Sequence, residues 1–401
     1  MTIRRILVGR VQSSPGRRQA RKCFKMRVAL VHDYLTHFGG AERVLLELMD
    51  LFPHAPVYTL FYNPDVFEGQ WDARRLRTSF LQRLPGATRS HRPWPLALMP
   101  LAAEQFRFDD FDVVISTNHS FSKGILTGPN TLHISYCFTP TRYAWDDSHR
   151  YVREFSQSRT FQWAAPIALS YVRFWDFYAS QRPDVYVTTS EYVRRRIRKY
   201  YHRQSKVVPP PVNVSKFSVQ LNHERYYLVV SRLVPYKRVD VAIRACEALG
   251  RKLIVVGSGP ELEGLKKIAG KQTRFPGFVD EEELARLYAG ARALLFPQEE
   301  DFGITPLEAA ACGKPTVAFA AGGARETIIN GVTGVLCEEQ TPEAFAEAIL
   351  QLEEMRFDPL VIRAHAQSYD RSVFLDRMRE LVHNDWLSFN YLSRDQQHAT
   401  N

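Results

Sequence analysis

The first half of the chain alternates short apolar runs with amphipathic stretches. Residues 26–31 are apolar and rich in β-branched side chains, and this run stops at His32-Asp33. The pair Gly39-Gly40 then opens an amphipathic segment over residues 41–51. This order predicts a strand, a glycine turn and a helix, the first unit of a doubly wound parallel sheet. Further buried strands are predicted at residues 57–60, 112–116, 132–137, 185–189 and 206–208.

A second alternation follows a proline-rich segment. The prolines at positions 209–211 favour a stiff, extended connection, because proline fixes its own φ and restricts the residue before it. The pattern therefore predicts an α/β fold class with two Rossmann-like doubly wound domains facing a cleft. In the second half, strands are predicted at 227–231, 252–256, 274–276, 293–296, 316–320 and 335–336, and helices at 239–249, 260–269 and 281–291.

We place the boundary between the domains at this proline segment. The predicted parts are a basic, disordered N-terminal extension (1–25), an N-terminal Rossmann-like domain (26–212), a C-terminal Rossmann-like domain (213–370), and a C-terminal helix and tail (371–401) that packs back toward the N-terminal domain. Ligands of open α/β sheets bind beyond the carboxyl ends of the strands. The chemistry is therefore expected in loops that follow strands.

Composition and charge exclude several classes of protein. The net charge of +10 on 401 residues is concentrated in residues 1–25, which hold eight basic residues and no acidic one. Residues 216–401 hold more acids than bases, so we do not expect a nucleic-acid-binding protein. The extension is either an arm for anionic surfaces or a disordered segment upstream of a start at Met26, and we favour the second.

The five cysteines are scattered, without the spacing of metal ligands, and no apolar run is long enough to span a membrane. No apolar signal-peptide core precedes the first domain, so we expect a cytoplasmic protein. Asp110 and Asp112 resemble a metal-binding pair, but they precede their strand and so belong to the edge of the sheet away from the cleft. We expect neither a metal nor a cofactor.

Two glycine-rich turns are candidates for phosphate binding. Gly39-Gly40 lies where a strand meets a helix, and the free N–H groups of a helix N-terminus attract phosphate. A tight turn would explain the pair equally well. The second turn, Gly257-Ser-Gly259, lacks the third glycine of the dinucleotide fingerprint, which disfavours a nicotinamide enzyme.

Charged residues follow two strands of the second half. Arg232 and Lys237 lie in one loop, where two cations can neutralise a diphosphate leaving group; the alternative is a pair of solvated loop charges. Glu300 and Glu308, eight residues apart, suit the hydroxyls of a sugar and a ribose; the alternative is that they cap a helix. Backbone N–H groups of Phe302, Gly303 and Ile304 also point from that helix N-terminus toward a phosphate.

Less specific candidates lie in the first half. His119 follows the strand predicted at 112–116 on the cleft side, where a catalytic role competes with a structural one. Arg194, Arg195 and Arg196 lie in a basic, tyrosine-rich helix that suits an anionic lipid surface or a polyphosphate; a solvated helix face explains it equally well. The apolar, proline-broken segment 93–101 fits a loop that is buried or that touches a lipid acceptor.

Together these residues resemble the retaining glycosyltransferases of family 4, which have the two-domain GT-B architecture. The resemblance covers about residues 26–390. It is carried by Gly39-Gly40, by Arg232 with Lys237, by Glu300 and Glu308 at the spacing E-x7-E, by residues 321–326 (AGGARE) and by residues 331–334 (GVTG). A narrower resemblance, to bacterial mannosyltransferases of O-antigen and exopolysaccharide assembly, rests on Asp33-Tyr34 before residues 39–43 (GGAER), on residues 100–106 (PLAAEQF) and on residues 136–146 (YCFTPTRYAWD).

This resemblance implies a nucleotide-sugar donor, GDP-mannose above all, held mainly by the C-terminal domain. It also implies a polyprenyl-diphosphate-linked saccharide acceptor on the N-terminal domain, and a peripheral position on the anionic inner face of the cytoplasmic membrane. By the same resemblance, Arg232 and Lys237 hold the donor diphosphate together with a backbone amide of Gly40, Glu300 binds the transferred sugar, and Glu308 binds the ribose. Phe278-Val279 would line the base pocket.

One position departs from the family. Members commonly carry a histidine near the reacting sugar carbon, at the end of the strand that here reaches Phe138. Either His119 or Tyr136 compensates, or that histidine is dispensable, or activity is reduced. The departure leaves open an alternative function, a catalytically silent nucleotide-sugar-binding subunit of a polysaccharide assembly complex.

Overall fold

Both halves of the chain fold as parallel sheets covered by helices, as the alternation predicts. The computed structural model describes residues 26–67, 73–84, 94–146, 159–220, 224 and 226–399. The basic extension 1–25, the first residue of segment 93–101 and the last two residues of the tail lie outside the described residues. The predicted fold class, with two Rossmann-like α/β domains, is confirmed.

The N-terminal sheet has the strand order β3-β2-β1-β4-β5-β6-β7, and every neighbouring pair is parallel. Reversal of the strand order at β1 places the loops after β1 and β4 beside each other, at the switch point where such sheets bind ligands. The strands are β1 (Val28–Leu35), β2 (Val57–Tyr62), β3 (Leu76–Thr78), β4 (Val113–Asn118), β5 (Leu132–Cys137), β6 (Val185–Thr188) and β7 (Lys206–Val207). The helices are α1 (Gly40–Leu51), α2 (Met99–Glu104), α3 (Arg159–Ala179) and α4 (Glu191–Tyr201).

The C-terminal sheet has the order β10-β9-β8-β11-β12-β13, again with parallel neighbours. Its strands are β8 (Tyr226–Val230), β9 (Lys252–Val256), β10 (Thr273–Gly277), β11 (Ala293–Phe296), β12 (Thr316–Phe319) and β13 (Gly334–Cys337). Its helices are α5 (Val239–Ala248), α6 (Leu262–Ile268), α7 (Glu281–Gly290), α8 (Ile304–Ala311), α9 (Ala324–Thr327), α10 (Pro342–Glu354) and α11 (Pro359–Gln367).

The last helix, α12 (Arg371–Ala399), returns to the N-terminal domain. Its side chains Phe374, Met378 and Val382 are buried in the core formed by β1, β4, β5 and α1. The two segments that cross between the domains pair with each other, because Val212 N–H donates to the Tyr369 carbonyl (2.9 Å) and the Val212 carbonyl accepts from Arg371 N–H (3.1 Å). The two connecting segments are thus hydrogen-bonded to each other where they cross.

The sequence pattern misplaced two features of the first sheet. The prediction that β1 stops at His32-Asp33 is wrong, because the strand continues to Leu35 with both polar side chains buried. His32 Nδ1 lies 2.7 Å from the Thr117 hydroxyl and Asp33 accepts three backbone N–H groups, so neither group needs water. The short edge strand β3 has no apolar run and was not predicted.

A buried histidine in β5 makes the fold sensitive to acid. Burial, together with the nearby Arg182 and Arg203, lowers the pKa of His133 from 6.5 to about 3, and its Nε2 lies 2.8 Å from the Ser116 hydroxyl. The unfolded chain binds a proton below pH 6.5 and the folded chain does not, so stability falls as the pH drops from 6.5 toward 3.

We expect His133 to remove about 2 kcal/mol from the free energy of unfolding between pH 7 and pH 5. Urea unfolding at the two pH values measures this loss. In His133→Asn the loss should be smaller by that amount, because asparagine does not titrate in this range. An identical pH dependence in the two proteins would contradict the assignment.

Candidate active site in the cleft between the domains

The carboxyl ends of the two sheets face each other across a cleft, and most of the predicted residues lie there. Gly39 and Gly40 follow β1, and His119 follows β4. On the opposite side, Arg232 follows β8 and Glu300 follows β11. The topology therefore brings together residues separated by up to about 260 positions in the sequence.

Lys237 and Glu300 form an ion pair on the C-terminal-domain side of the cleft. The Lys237 ammonium contacts Glu300 Oε1, and Gln298 Nε2 donates to the same oxygen (3.2 Å). The Lys237 side chain is only 11% exposed, which fixes its charge in the cleft wall. Arg232 lies on the same loop and is exposed, with Nη2 3.3 Å from the Tyr236 hydroxyl. The interpretation of Lys237 as a solvated loop charge is therefore wrong.

The loop that carries Glu300 rests on a glycine pair from the AGGARE segment. A Cβ on Gly322 would lie 2.1 Å from the Glu300 carbonyl oxygen, and Gly322 has φ +60°. A Cβ on Gly323 would lie 2.3 Å from the Phe302 carbonyl oxygen, and its N–H donates to the Glu300 carbonyl (2.8 Å). Only glycine permits this approach, so the pair sets the position of Glu300.

Glu308 is buried on α8 and bonded on both carboxylate oxygens. The Tyr288 hydroxyl donates to Oε2 (2.8 Å) and Arg43 Nη1 donates to Oε1 (2.8 Å). Burial and the Glu308 charge raise the pKa of Tyr288 well above its usual value, so this hydroxyl stays a donor. Arg43 comes from α1, so the Glu308 contact crosses the cleft. The sequence did not single out Arg43 for this role.

The first turns of α1 and α8 approach each other across the cleft. A Cβ on Gly40 would lie 3.1 Å from Ile304 Cδ1, so a side chain there would require the Ile304 side chain to shift by a few tenths of an ångström. Gly303 precedes α8 with φ +88°, a conformation that glycine adopts without strain, and Phe302 before it is buried. The backbone N–H groups at both helix starts thus face the same space.

A cavity of about 400 Å³ opens beside Glu308 between the domains. Phe38 and Arg43 of the N-terminal domain line it, together with Glu281 and Leu284 of α7 and Ile304 of α8. Phe278 and Val279 do not line this cavity: Phe278 is 85% exposed, and Val279 packs against α7.

His119 lies on the N-terminal side of the cleft and is held by Asp33. Its Nδ1 is 3.3 Å from Asp33 Oδ2, and the edge of its ring meets Tyr34 at 5.7 Å. Burial alone would raise the pKa of Asp33, but His119 and the backbone N–H groups of His119 and Ser122 outweigh it and lower that pKa. Asp33 is therefore an anion that orients a partly exposed imidazole.

A second histidine of this site was missed by the sequence analysis. His37 Nε2 lies 3.9 Å from Glu42 Oε1, and burial lowers the pKa of His37. The electrostatic neighbours of His37 include His119 and Arg232, which places it where the two domains meet. Its position in a loop outside any periodic pattern gave no signal.

Phe138 packs against an aromatic neighbour at the end of β5. Phe138 is half-buried, and its ring meets that of Tyr136 at 5.3 Å. Tyr136 is fully buried and its hydroxyl donates to the Val208 carbonyl (2.8 Å). Tyr136 therefore cannot replace the histidine typical of the family, which leaves His119 as the candidate among the two residues considered.

Asp301, next to Glu300, ties the domains together. Its carboxylate accepts from Arg142 (Nη2, 2.8 Å) and from Arg196 (Nη1, 2.6 Å), and its carbonyl accepts from the Ser190 hydroxyl (2.6 Å). Arg196 also bonds Thr139 and Asp146. The prediction that Arg196 faces lipid or solvent is wrong, because this guanidinium is buried in the contact between the domains.

Glu326 of the AGGARE segment supports the same contact. Its carboxylate accepts from the backbone N–H groups of Glu191 and Tyr192 (both 2.7 Å), the first turn of α4 in the other domain. The Tyr192 hydroxyl in turn donates to Glu299 (2.8 Å). An anion at a helix N-terminus is favourable both for its hydrogen bonds and for the helix dipole.

We expect Glu326→Ala to raise the ratio of separated to closed domain arrangements about fivefold, since losing an acidic cap costs about 1 kcal/mol. Small-angle scattering should report a larger radius of gyration. Glu338→Ala is the matched control, because Glu338 pairs with Arg325 within the C-terminal domain and is exposed. Equal radii for Glu326→Ala and wild type would contradict the role.

No group of three or more His, Cys, Asp or Glu side chains within the described part of the chain is arranged to hold a metal ion. The cleft therefore presents cations, carboxylates and backbone N–H groups. These groups suit a ligand that carries both phosphates and sugar hydroxyls.

Each half of the chain matches the model of a glycosyltransferase family. Residues 38–216 match the family "Glycosyltransferase Family 4", and residues 213–370 match "Glycosyl transferases group 1". Together the two matches cover the cleft residues from both sides.

Two curated relatives each match less than half of this chain. A glycogen synthase of Pseudomonas paraeruginosa is 33% identical over 160 residues, 37% of this chain and 31% of the relative. A GDP-mannose-dependent alpha-(1-6)-phosphatidylinositol monomannoside mannosyltransferase of Mycolicibacterium smegmatis is 32% identical over 198 residues, 41% of this chain and 52% of the relative. The matched regions thus span about a third and about half of the lengths of these two relatives.

Solved structures agree on the fold over nearly the whole chain. Sucrose-phosphate synthase of Thermosynechococcus elongatus superposes with a TM-score of 0.68 at 19% identity, covering 90% of this chain and 100% of that one. The Anabaena protein HepE in complex with UDP gives 0.64 at 18% identity, with the same coverage. At these identities the likeness establishes the architecture.

Proposed function

Because this chain belongs to the glycosyltransferases of GT-B type, we propose that it is a retaining transferase that moves mannose from GDP-mannose to a polyprenyl-diphosphate-linked saccharide. Its place would be the assembly of a cell-surface polysaccharide, such as an O-antigen or an exopolysaccharide. The observation that carries the proposal is the pairing of Lys237 with Glu300 in the cleft wall, beside Arg232.

In this proposal Arg232 and Lys237 bind the donor diphosphate. Two fixed cations stabilise the negative charge that grows on the leaving phosphate as the bond to the sugar breaks. The N–H groups at the starts of α1 and α8, at Gly40 and at Phe302 to Ile304, add hydrogen bonds from helix N-termini. These groups balance the charge of the diphosphate with protein residues alone.

The two glutamates bind the donor at different points. Glu300 reaches the transferred sugar, since its carboxylate lies next to Lys237 and hence next to the phosphate attached to that sugar. Glu308 binds the ribose hydroxyls, and the cavity beside it holds the nucleoside. Arg43 and Tyr288 each bond one Glu308 oxygen, so the ribose hydroxyls share this carboxylate with both of them.

Transfer with retention follows from attack on the face that the diphosphate leaves. The bond between the anomeric carbon and the phosphate oxygen breaks with its electron pair going to the diphosphate, and the acceptor oxygen bonds to the same face of that carbon. The acceptor proton passes to a departing phosphate oxygen. His119, oriented by the Asp33 carboxylate, hydrogen-bonds the sugar from the N-terminal side of the cleft.

The choice of GDP-mannose as the donor is supported by one of the relatives. The name of the Mycolicibacterium smegmatis relative specifies GDP-mannose and a mannolipid acceptor, which supports both the sugar and a lipid-linked acceptor here. The HepE structure contains UDP, so the base must be tested directly. No helix in the described residues is long and apolar enough to cross a membrane. We place the protein peripherally on the anionic inner face of the cytoplasmic membrane.

A catalytically silent nucleotide-sugar-binding subunit is the second candidate. Phe138 favours it, since an apolar ring stands where the family commonly has a histidine. Both candidates bind the donor, so binding alone does not separate them. They differ in whether bound GDP-mannose releases GDP.

Thermal unfolding with a panel of nucleotide sugars tests the donor. A ligand at about 100 times its Kd stabilises the folded state by about 2.7 kcal/mol, enough to raise Tm by a few degrees. We expect GDP-mannose and GDP to raise Tm, UDP-glucose and UDP to raise it less, and Lys237→Ala to reduce the GDP-mannose effect. Stabilisation by the uridine nucleotides alone would overturn the choice of GDP-mannose.

A further inference from the structure

The solvent-facing side of α3 is apolar. Ile167, Tyr171, Phe174 and Tyr178 follow one another at spacings of four, three and four residues, which places them in one row along the helix. Each is at least half exposed, and Ile167 and Phe174 are about two-thirds exposed. We name these four side chains the α3 row.

α3 is apolar on both sides, because apolar side chains such as Val172 are buried while the α3 row faces solvent. The charged residue Asp176 points into the protein, where it pairs with Lys123 (2.5 Å) and accepts from Trp145 Nε1 (2.8 Å). Arg173 is half-buried and donates to the Ala144 carbonyl (2.7 Å). A surface helix normally turns its charged side to water and its apolar side to the core.

The orientation of α3 is fixed from the buried side. The Lys123–Asp176 pair is fully buried, and the Trp175 ring packs on Phe121 at 5.1 Å. Rotation of the helix to bury the row would expose the Lys123–Asp176 pair to water and break its hydrogen bonds. The row is therefore held outward by the same contacts that hold the loop after β5.

Basic residues lie on the helix whose C-terminal end meets that of α3. The C-terminal ends of α3 and α4 meet, since the Phe177 ring contacts His202 at 6.0 Å and Gln181 Nε2 donates to the Tyr201 carbonyl (2.9 Å). The outward side of α4 carries exposed basic residues: Arg194, Arg195, Arg198 and Lys199. A row of aromatic and aliphatic side chains beside a basic helix matches the lipid interface of an anionic bilayer.

We propose that the α3 row, together with the cations of α4, is the surface by which the N-terminal domain docks on an anionic lipid bilayer. The row runs along about 16 Å of a convex helix, which suits a planar surface. Tyrosine and phenylalanine insert their rings at the headgroup level while the arginines pair with lipid phosphates. This assignment rests on the proposed function, which requires access to a lipid-linked acceptor, and it identifies the membrane-facing side.

Vesicle co-sedimentation of the full chain tests the surface. The probes are vesicles of phosphatidylcholine and of phosphatidylcholine mixed with phosphatidylglycerol. We expect wild type to prefer the anionic vesicles and to lose binding in high salt. The double variant Tyr171→Ser/Phe174→Ser should bind at least about tenfold more weakly, because two large apolar side chains no longer leave water. Arg195→Gln/Arg198→Gln should lose the preference for anionic vesicles.

Leu360→Ser/Val361→Ser is the matched control, because these two apolar side chains are also exposed but lie on α11 of the C-terminal domain. It should bind vesicles like wild type. Unchanged vesicle binding in the α3 variant, or an equal loss in the control, would overturn the proposal. Loss of self-association in the α3 variant without lipid binding in wild type would instead assign the row to an interface between copies.

GDP release from GDP-mannose in the absence of vesicles separates this proposal from the proposed function. The α3 variant should release GDP at the wild-type rate, since the row lies outside the cleft. If wild type binds vesicles through the row but releases no GDP, the proposed transferase function fails and the docking surface stands. If GDP release is normal and the α3 variant still binds vesicles, only the docking surface fails.

Discussion

Replacement of Lys237 by alanine is expected to slow transfer from GDP-mannose by about 10²-fold or more, and Arg232→Ala should do the same. Each variant removes one cation that stabilises the leaving diphosphate in a cleft that is partly shielded from water. Lys237→Ala also leaves Glu300 without its ion-pair partner, so the sugar-binding carboxylate loses its position. GDP release at saturating donor measures both effects.

Lys266→Ala is the control for this pair. Lys266 is an exposed lysine on α6 that pairs with Glu263 of the same helix, so its loss should leave turnover and stability unchanged. Unfolding curves of all three variants should match wild type, which separates lost catalysis from lost folding. Near-normal turnover in either Lys237→Ala or Arg232→Ala would remove that residue from the diphosphate site.

The second large effect concerns stability. Asp176→Asn is expected to lower the free energy of unfolding by about 3 kcal/mol, because it leaves the fully buried Lys123 ammonium without a counter-charge. The amide keeps nearly the shape of the carboxylate, so packing changes little. Urea unfolding monitored by circular dichroism measures the difference.

Two further proteins sharpen this test. Lys123→Met/Asp176→Leu removes both charges and should recover most of the loss, since apolar side chains of similar volume often replace a buried ion pair well. Glu104→Gln breaks the partly exposed pair with Arg182 and should cost less than about 1 kcal/mol. A double variant no more stable than Asp176→Asn would show that the loss comes from packing instead.

The buried Lys123–Asp176 pair also influences the geometry of the candidate active site. Asp176 accepts from the Thr141 hydroxyl (2.6 Å) and from the Trp145 indole, so it fixes the loop that follows β5. That loop carries Arg142, which reaches across the cleft to Asp301 beside Glu300. Disorder in this loop should therefore also disturb the loop that carries Glu300 and Asp301.

The alternation of apolar runs was enough to predict two doubly wound sheets, because buried parallel strands need continuous apolar sequence. Gly39-Gly40, Lys237 and Glu300 were also predictable, since each follows a strand at the edge of the sheet where ligands bind. These signals are local, and a single sequence contains them.

Contacts between the domains left no such signal. Asp301 looks like an ordinary surface charge in sequence, and Arg43 and Glu326 stand in motif segments that do not reveal their partners; only the facing of the two sheets brings these residues to them. Arg196 was misassigned for the same reason, because its burial depends on the other domain. The exposed apolar row of α3 was equally hidden, because the sequence does not show which side of this largely apolar helix faces solvent.

Incubation of the protein with GDP-mannose, followed by measurement of released GDP, tests the central claim most directly. The account predicts slow GDP release above the rate without protein, reduced about 10²-fold or more in Lys237→Ala. Binding of GDP-mannose, detected by thermal stabilisation, with no GDP released above background would contradict it. That result would make the chain a nucleotide-sugar-binding subunit without transferase activity.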